Sequence, residues 1–458
     1  MLNPKNTIPA ALIWAQCITF SALYAIWMLR DLMFFRRVAL VAGALMAIYP
    51  IYQYRSYFFQ KRAIPLWLLV GLFAWAIFHL LFLANDFPAQ FLELRRIWKY
   101  AGLGAIFALG LGLSLASTSQ RETYWPIVYF GFSLPVLIYL LKYLLMTYGV
   151  FIGISPPAFL QIVDSSSPHY HVPKTDYIAF CLPVLALSLG QILSLLTLKD
   201  RLTNRQYLAM SAYSFIVGGT LFLFYVQDTK NGIAYSLFSI ALFLTIAIFK
   251  VPTGKFWHKL LLSMIALACV VAFLYAHLQK NDSWRTLIAD TKVGLQLEQF
   301  SHWKYAGERG YPINEYGTIV SITNYERGAW FKAGLQLSAE YPLGYGLVED
   351  SFMRMARARW PEASTKLSHS HSGWLDLILG VGFPGFFCIL AALLISILKV
   401  RETLEPWRSV FLWGLLANLM LWVTTEVSAT ITFSALIFWI SWACGLTLIQ
   451  FNGAAKRD

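Results

Sequence analysis

The chain has 458 residues, 58% of them hydrophobic and 13% charged, about half the ~25% charged share of an average soluble domain. That balance excludes a string of soluble domains. The net charge of +13 would point to nucleic acid in a soluble protein. Here basic loops on the cytoplasmic side of a membrane account for most of it, and no nucleic-acid partner is expected.

About 20 apolar residues span a bilayer. Such runs recur near 8–29, 38–54, 64–84, 100–117, 124–149, 177–198, 207–227, 232–249, 259–278, 372–398, 409–427 and 429–450, which predicts twelve spans. Only Thr424, Thr425 and Glu426 separate the last two. The basic, then apolar, start MLNPKNTIPAALIWAQ reads as an uncleaved first helix, because further spans follow it. No tandem repeat, low-complexity tract or fused soluble domain is read. Seventeen Trp and 24 Tyr suit rings anchored at the two interfaces. All five cysteines lie in apolar segments without CxxC spacing, so neither a disulfide nor a metal site is expected.

With the N-terminus inside, the inside loops carry Arg55, Lys61, Arg62, Arg121, Lys199, Arg201, Arg205, Lys250, Lys255, Lys259, Lys399, Arg401 and Arg408. The short outside loops carry Arg30, Arg36, Arg37, Arg95, Arg96, Lys99, Lys174 and Lys230. The bias fits the positive-inside rule. The outside exceptions are candidate anion sites.

Two outside segments stand apart. Residues 150–176 are rich in Pro and Ser and carry His169, His171 and Lys174. Residues 279–371 form a loop of about ninety residues, a length that is usually functional or disordered. Its aromatics, Trp284, Trp303, Tyr311, Tyr325, Trp330, Phe331, Tyr341 and Trp360, argue against disorder. Within it ERGAWFKAGLQLSAE reads as helix and DSFMRMARARW as a basic amphipathic stretch. Three parts are therefore predicted: spans one to nine over 1–278, a folded cap over 279–371, and spans ten to twelve with a tail over 372–458. The fold class is all-α, polytopic in the membrane, with a large, partly helical loop between helices 9 and 10.

Ionisable groups near membrane depth are functional hypotheses by default. Lys142 lies inside LIYLLKYLLMTYG, from which it could also snorkel outward. Lys230 lies between two spans with almost no loop, where Asp228 could pair with it. Arg327 precedes an apolar helical stretch of the loop and could equally be a solvated surface arginine. Lys142, Lys174, Lys230 and Arg327 map to one side, beside the junction SHSHSGWLDLILGVGFPG at 368–385. Together they could neutralise a diphosphate at the outer leaflet. At that junction His369 and His371 meet the start of a span, and histidine is the side chain most readily poised for proton transfer near neutral pH. Their spacing could make a metal pair, but no carboxylate or cysteine cluster accompanies them.

His371-Ser372-x-x-Leu375, followed by Gly382 and Gly385, resembles the signature of the bacterial O-antigen ligase and polymerase superfamily. Asn324-x-x-Arg327-x-x-Trp330, followed by AGLQLSAEYPLGYGL, resembles that family's arginine-bearing loop helix and its Pro-Leu-Gly-x-Gly turn. The resemblance implies a GT-C-like fold in the bacterial inner membrane, with its active site facing the periplasm. It implies inverting, metal-independent transfer of a glycan from undecaprenyl diphosphate, with no cofactor. His371 would be the base or acceptor-orienting group and Arg327 a diphosphate ligand. Lys230, with Lys174 and Lys142, would assist. Where family members carry Ser-Arg-Gly, this chain has Thr229-Lys230-Asn231-Gly232, so Lys230 keeps the charge but not the bidentate geometry.

The single dominant outer loop favours the ligase, which joins carrier-linked O-polysaccharide to lipid A-core in lipopolysaccharide biosynthesis. An O-antigen polymerase is the alternative within the class, and a protein O-glycosyltransferase a third. A lipid-anion transporter without chemistry is the alternative outside it. The absence of a repeat between the two halves counts against that last reading.

Overall fold

The computed structural model describes residues 8–162, 172–198, 201–251, 260–261, 264, 267–268, 271–272, 274–276, 278–279, 284–424 and 429–449, and fourteen α-helices are bounded among them. They are α1 (Ala10–Ile26), α2 (Met33–Gln53), α3 (Ile64–Phe82), α4 (Phe87–Ser117), α5 (Arg121–Tyr148), α6 (Lys174–Leu196), α7 (Asn204–Val226), α8 (Lys230–Lys250), α9 (Leu287–Gly294), α10 (Ile322–Glu340), α11 (Ser351–Arg359), α12 (Gly373–Val400), α13 (Trp407–Leu421) and α14 (Ser434–Leu448). Among the described residues there is no strand, only an isolated bridge between Ile313 and Ile319.

Nine of the described helices are long and apolar enough to cross a membrane: α2 to α8, α12, and α14 with the residues just before it. The apolar helices α1 and α13 are shorter, at 17 and 15 residues. The chain is a polytopic α-helical membrane protein. The span expected at 259–278 lies largely outside the described residues, as do His169 and His171. One boundary differs from expectation. The span expected at 100–117 begins at Phe87, so Arg95, Arg96 and Lys99 sit within a helix and not in a loop. Asp86 caps that helix by accepting from the Ala89 amide at 3.1 Å, and a π turn at Leu94–Trp98 carries it past the charged residues.

Lipid tails are as apolar as the side chains, so spans associate by close packing and not by escape from water. α4 and α14 approach until backbone meets backbone: a Cβ on Gly112 would lie 2.5 Å from the Trp442 carbonyl oxygen. An aromatic cluster fills the bundle centre, where Phe20 meets Phe132 edge-on at 4.9 Å and Trp442 at 4.6 Å. Each such pair contributes about 0.5–1.5 kcal/mol beyond its buried area.

Residues of the long loop make up most of a second hydrophobic core. Trp303, Tyr325, Trp330, Phe352 and Met355 pack together with Leu375 and Leu379 from the first turns of α12. The two stretches read as helix in the sequence are α10 and α11. The loop is therefore built onto α12.

That attachment explains both glycine motifs. Inside α12, Gly382 adopts φ +67° and ψ 176°, which opens the helix. The Pro-Leu-Gly-x-Gly turn enters the opening. The amides of Tyr345 and Gly346 donate to the carbonyls of Leu379 and Gly380, both at 2.8 Å, and the Phe383 amide donates to the Pro342 carbonyl at 2.9 Å. The Trp75 indole donates to the Val381 carbonyl at 2.7 Å. A Cβ on Gly382 would lie 2.3 Å from the Leu343 carbonyl. From the other side, α3 and α4 hold the turn. Gln90 donates to the Tyr345 carbonyl at 2.7 Å, His79 faces the Gly344 carbonyl at 3.3 Å, and the buried Glu93 carboxylate accepts from the amides of Val348 and Glu349 at 2.7 and 3.0 Å. Such fully partnered buried groups fix a single conformation.

Candidate functional site

α10 organises the site because Asn324, Arg327 and Trp330, three residues apart, share one face of it. Each reaches a different part of the chain. Asn324 donates to Asp290 at 3.1 Å. Asp290 is fully buried and also accepts from Thr286 at 2.6 Å, Asn314 at 2.9 Å and the Ser321 amide at 3.1 Å. Hydrogen bonds to a charged group contribute about 1.5–3 kcal/mol each, and the two from Asn324 and the Ser321 amide lock the start of α10 against α9.

The Arg327 guanidinium donates to the Asn231 side-chain carbonyl at 3.0 Å. Asn231 in turn donates to the Thr424 carbonyl at 3.1 Å, and Tyr235, one turn on, bonds the Thr424 hydroxyl. Lys230 lies within electrostatic reach of Arg327, Asp228 and Asp290, with its ammonium 6.0 Å from the centre of the Trp284 ring. The start of α8, the face of α10 and the end of α13 thus converge on two cations.

Trp330 carries the histidine. Its indole lies flat on the His371 ring, with centroids 4.9 Å apart and planes within 3°. Its N–H donates to the Trp303 carbonyl at 3.0 Å, which fixes the platform. His371 has φ +60°, rare for a residue with a side chain. Its neighbours hold it there: the Ser370 amide donates to Asp376 at 2.7 Å, and the Ser370 hydroxyl donates to the Ser372 carbonyl at 3.2 Å. His369 meets the His371 ring edge-on at 4.6 Å. The buried Glu326 lies within electrostatic reach of His369 and accepts the Tyr311 hydroxyl at 2.7 Å. Burial raises the Glu326 carboxyl above its ordinary range, while Tyr311 and His369 pull the other way.

An apolar groove of about 520 Å³ adjoins these groups. Tyr235, Phe238 and Leu242 line it along one face of α8, beginning a turn beyond Asn231. Trp374, three residues after His371, lines it from α12. The arrangement can take an anion at Arg327 and Lys230 and an apolar chain in the groove along α8.

Of the residues singled out in the sequence, the structure brings Arg327, Lys230 and the His369–His371 pair into one region. Lys142 is buried in α5, with Asp31 as a charged neighbour. Lys174 stands exposed at the first residue of α6. Among the described residues, no group of three or more His, Cys, Asp or Glu side chains is placed to hold a metal ion. The described cysteines Cys17, Cys181, Cys388 and Cys444 are free thiols. Nothing in the sequence pattern singled out Asp290, Asn231, His79, Gln90 or Glu93. The one usable signal was the spacing of Asp86, Gln90 and Glu93 on one helical face.

Fold and site together define an integral membrane protein with a folded loop over a cationic, histidine-bearing site. No family model matches the sequence, and no curated protein matches it.

Proposed function

We propose that the chain is a glycosyltransferase that takes its glycan from a polyprenyl-diphosphate carrier, and specifically an O-antigen ligase. In this reading it is a GT-C-like enzyme of twelve spans in the bacterial inner membrane, with the loop and the site on the periplasmic face. The observation that carries it is the meeting of the Arg327–Lys230 pair, the Trp330–His371 stack and the groove along α8. A diphosphate lipid has the matching parts: a doubly charged head, a long apolar tail and a sugar at the head.

In the reaction an acceptor hydroxyl of lipid A-core attacks the anomeric carbon of the donor sugar. The glycosidic bond to the acceptor forms as the bond to the carrier diphosphate breaks, with inversion. The acceptor proton passes to the imidazole of His371, and a positioned base contributes typically about 10²–10⁴-fold. The electron pair leaves on the diphosphate, whose growing charge Arg327 and Lys230 stabilise in a dry site. Lys174 and Lys142 are assigned outlying roles in holding the anion.

The test is complementation of a strain lacking the gene with wild type or His371→Ala, resolving lipopolysaccharide by length. The ligase reading expects core without O-chain, with carrier-linked polymer accumulating. Core bearing a single repeat would identify an O-antigen polymerase instead. An unaltered ladder from His371→Ala would remove the histidine from the chemistry. Purified enzyme is expected to keep its activity in chelator; loss restored by Mg²⁺ or Mn²⁺ would reject the metal-independent mechanism.

A further inference from the structure

Away from α10, a second cavity of about 230 Å³ is lined by Arg36, Arg37 and Arg96, together with Tyr100, Ser434 and, from the loop, Glu349. Three cations face one carboxylate. Arg36 is almost fully buried, with one arm donating to the Trp27 carbonyl at 2.7 Å. Arg37 and Lys99 flank the Tyr100 ring, at 5.0 and 4.7 Å from its centre, which adds a fourth positive group beside the lining. Guanidinium groups gathered round one small cavity suit a phosphate, whose oxygens they can engage in bidentate pairs.

The backbone is specialised at the same place. The π turn Leu94–Trp98 contains Arg96, and a second π turn, Ala429–Phe433, contains the lining residue Ile431. The two turns pack on each other, with Trp98 edge-on to Phe433 at 5.1 Å. π turns make up well under 1% of residues and recur at functional sites. Phe34 and Phe35, which immediately precede the two arginines in α2, are 69% and 59% exposed. Exposed aromatics at a helix end belong at the lipid interface.

From these we infer that the Arg36–Arg37–Arg96 cavity is a second anion site, which takes the phosphate headgroup of an anionic membrane lipid. The cavity is below the ~300–1,000 Å³ of sites that enclose a whole small ligand, so it accepts a headgroup and leaves the acyl chains beside Phe34 and Phe35. Basic pockets between spans bind lipid headgroups in this way. The site is separate from Arg327 and does not depend on the proposed transfer reaction.

Native mass spectrometry of the purified full chain tests it, with phosphatidylglycerol and phosphatidylcholine as probes. Wild type is expected to retain phosphatidylglycerol in preference. The Arg37→Ala/Arg96→Ala variant is expected to lose at least about tenfold in that retention, the effect of removing two charge-assisted contacts. The single variants Arg37→Gln and Arg96→Gln should each lose part of it, and Arg327→Ala should lose none. Unchanged retention in the double variant would overturn the assignment, as would loss in Arg327→Ala alone. Displacement of the lipid by inorganic phosphate would overturn the lipid as the ligand. Equal helicity and elution of all variants serve as the fold control.

Discussion

Trp330 and His371 lie face to face, 4.9 Å apart and within 3° of parallel, and the residues that bring them together are 41 positions apart in sequence. The stack gives the imidazole a fixed plane that its own loop backbone could not supply.

Removing the platform should therefore cost rate more than binding. Trp330→Ala is expected to lower kcat by about 10²-fold, the scale of misplaced catalytic groups, with the KM for the carrier-linked donor changed much less. Trp330→Phe keeps a flat ring and should retain most of the rate. Initial-rate kinetics with both variants check this, and a pure KM effect would assign Trp330 to substrate contact instead.

Arg327 and Asn231 should separate charge from aim. Arg327→Ala is expected to lower kcat by about 10²–10³-fold, as for loss of a donor to developing negative charge. Asn231→Ala leaves the guanidinium in place but unties it, and about tenfold is expected from one hydrogen bond to a charged group. A double variant no worse than Arg327→Ala would show that Asn231 acts through the arginine.

Glu326 makes loop stability depend on pH. Its carboxyl holds a proton more tightly folded than unfolded, because burial outweighs Tyr311 and His369. The stabilisation is thus complete below the ordinary carboxylate value and is lost as pH rises through the raised one. Glu326→Gln keeps an acceptor for Tyr311 and never ionises. It should unfold at a higher temperature than wild type near neutral pH and lack the decline, as thermal scans across acid to neutral pH would show.

Gly382 has no room for a side chain. Gly382→Ala would place a Cβ 2.3 Å from the Leu343 carbonyl at a φ of +67°. A cost of at least about 1–3 kcal/mol is expected from the backbone alone, read as a lowered Tm together with faster proteolysis of the loop. An unchanged Tm would mean that the turn at Pro342–Gly346 yields without cost.

Much of this was legible in the sequence where the signal was local. Apolar runs marked the nine candidate spans among the described residues, three- and four-residue spacing marked α10, and a basic amphipathic pattern marked α11. Trp330, Gly382 and Gly385 stood out only because their motifs resemble a family signature, and the same resemblance joined them to Arg327 and His371. What escaped notice depended on partners far along the chain. Gln90 and Glu93 look like ordinary polar residues until residues 345–349 arrive more than 250 positions later. Asp290 gains its meaning only when Ser321 and Asn324 close on it. Arg95, Arg96 and Lys99 interrupted the apolar run and so read as loop, whereas a helix tolerates them by turning its charged face to one side. Lys142 and Lys174 were grouped with Arg327 by side of the membrane alone, a coordinate that does not say which helices are neighbours.

The turn at Pro342–Gly346 does more than fill an opening in α12. It welds the C-terminal half of the loop to α12, while α3 and α4 grip it from the opposite side. That half therefore behaves as part of the bundle. The N-terminal half is bound to it in turn, by Asn324 to Asp290, by the Trp330 indole to the Trp303 carbonyl and by Lys304 to Glu362. A cap built this way transmits a displacement of one half to the other. Any movement of the segment before α10 would carry Trp303 with it, and so would tilt the indole on which the histidine lies.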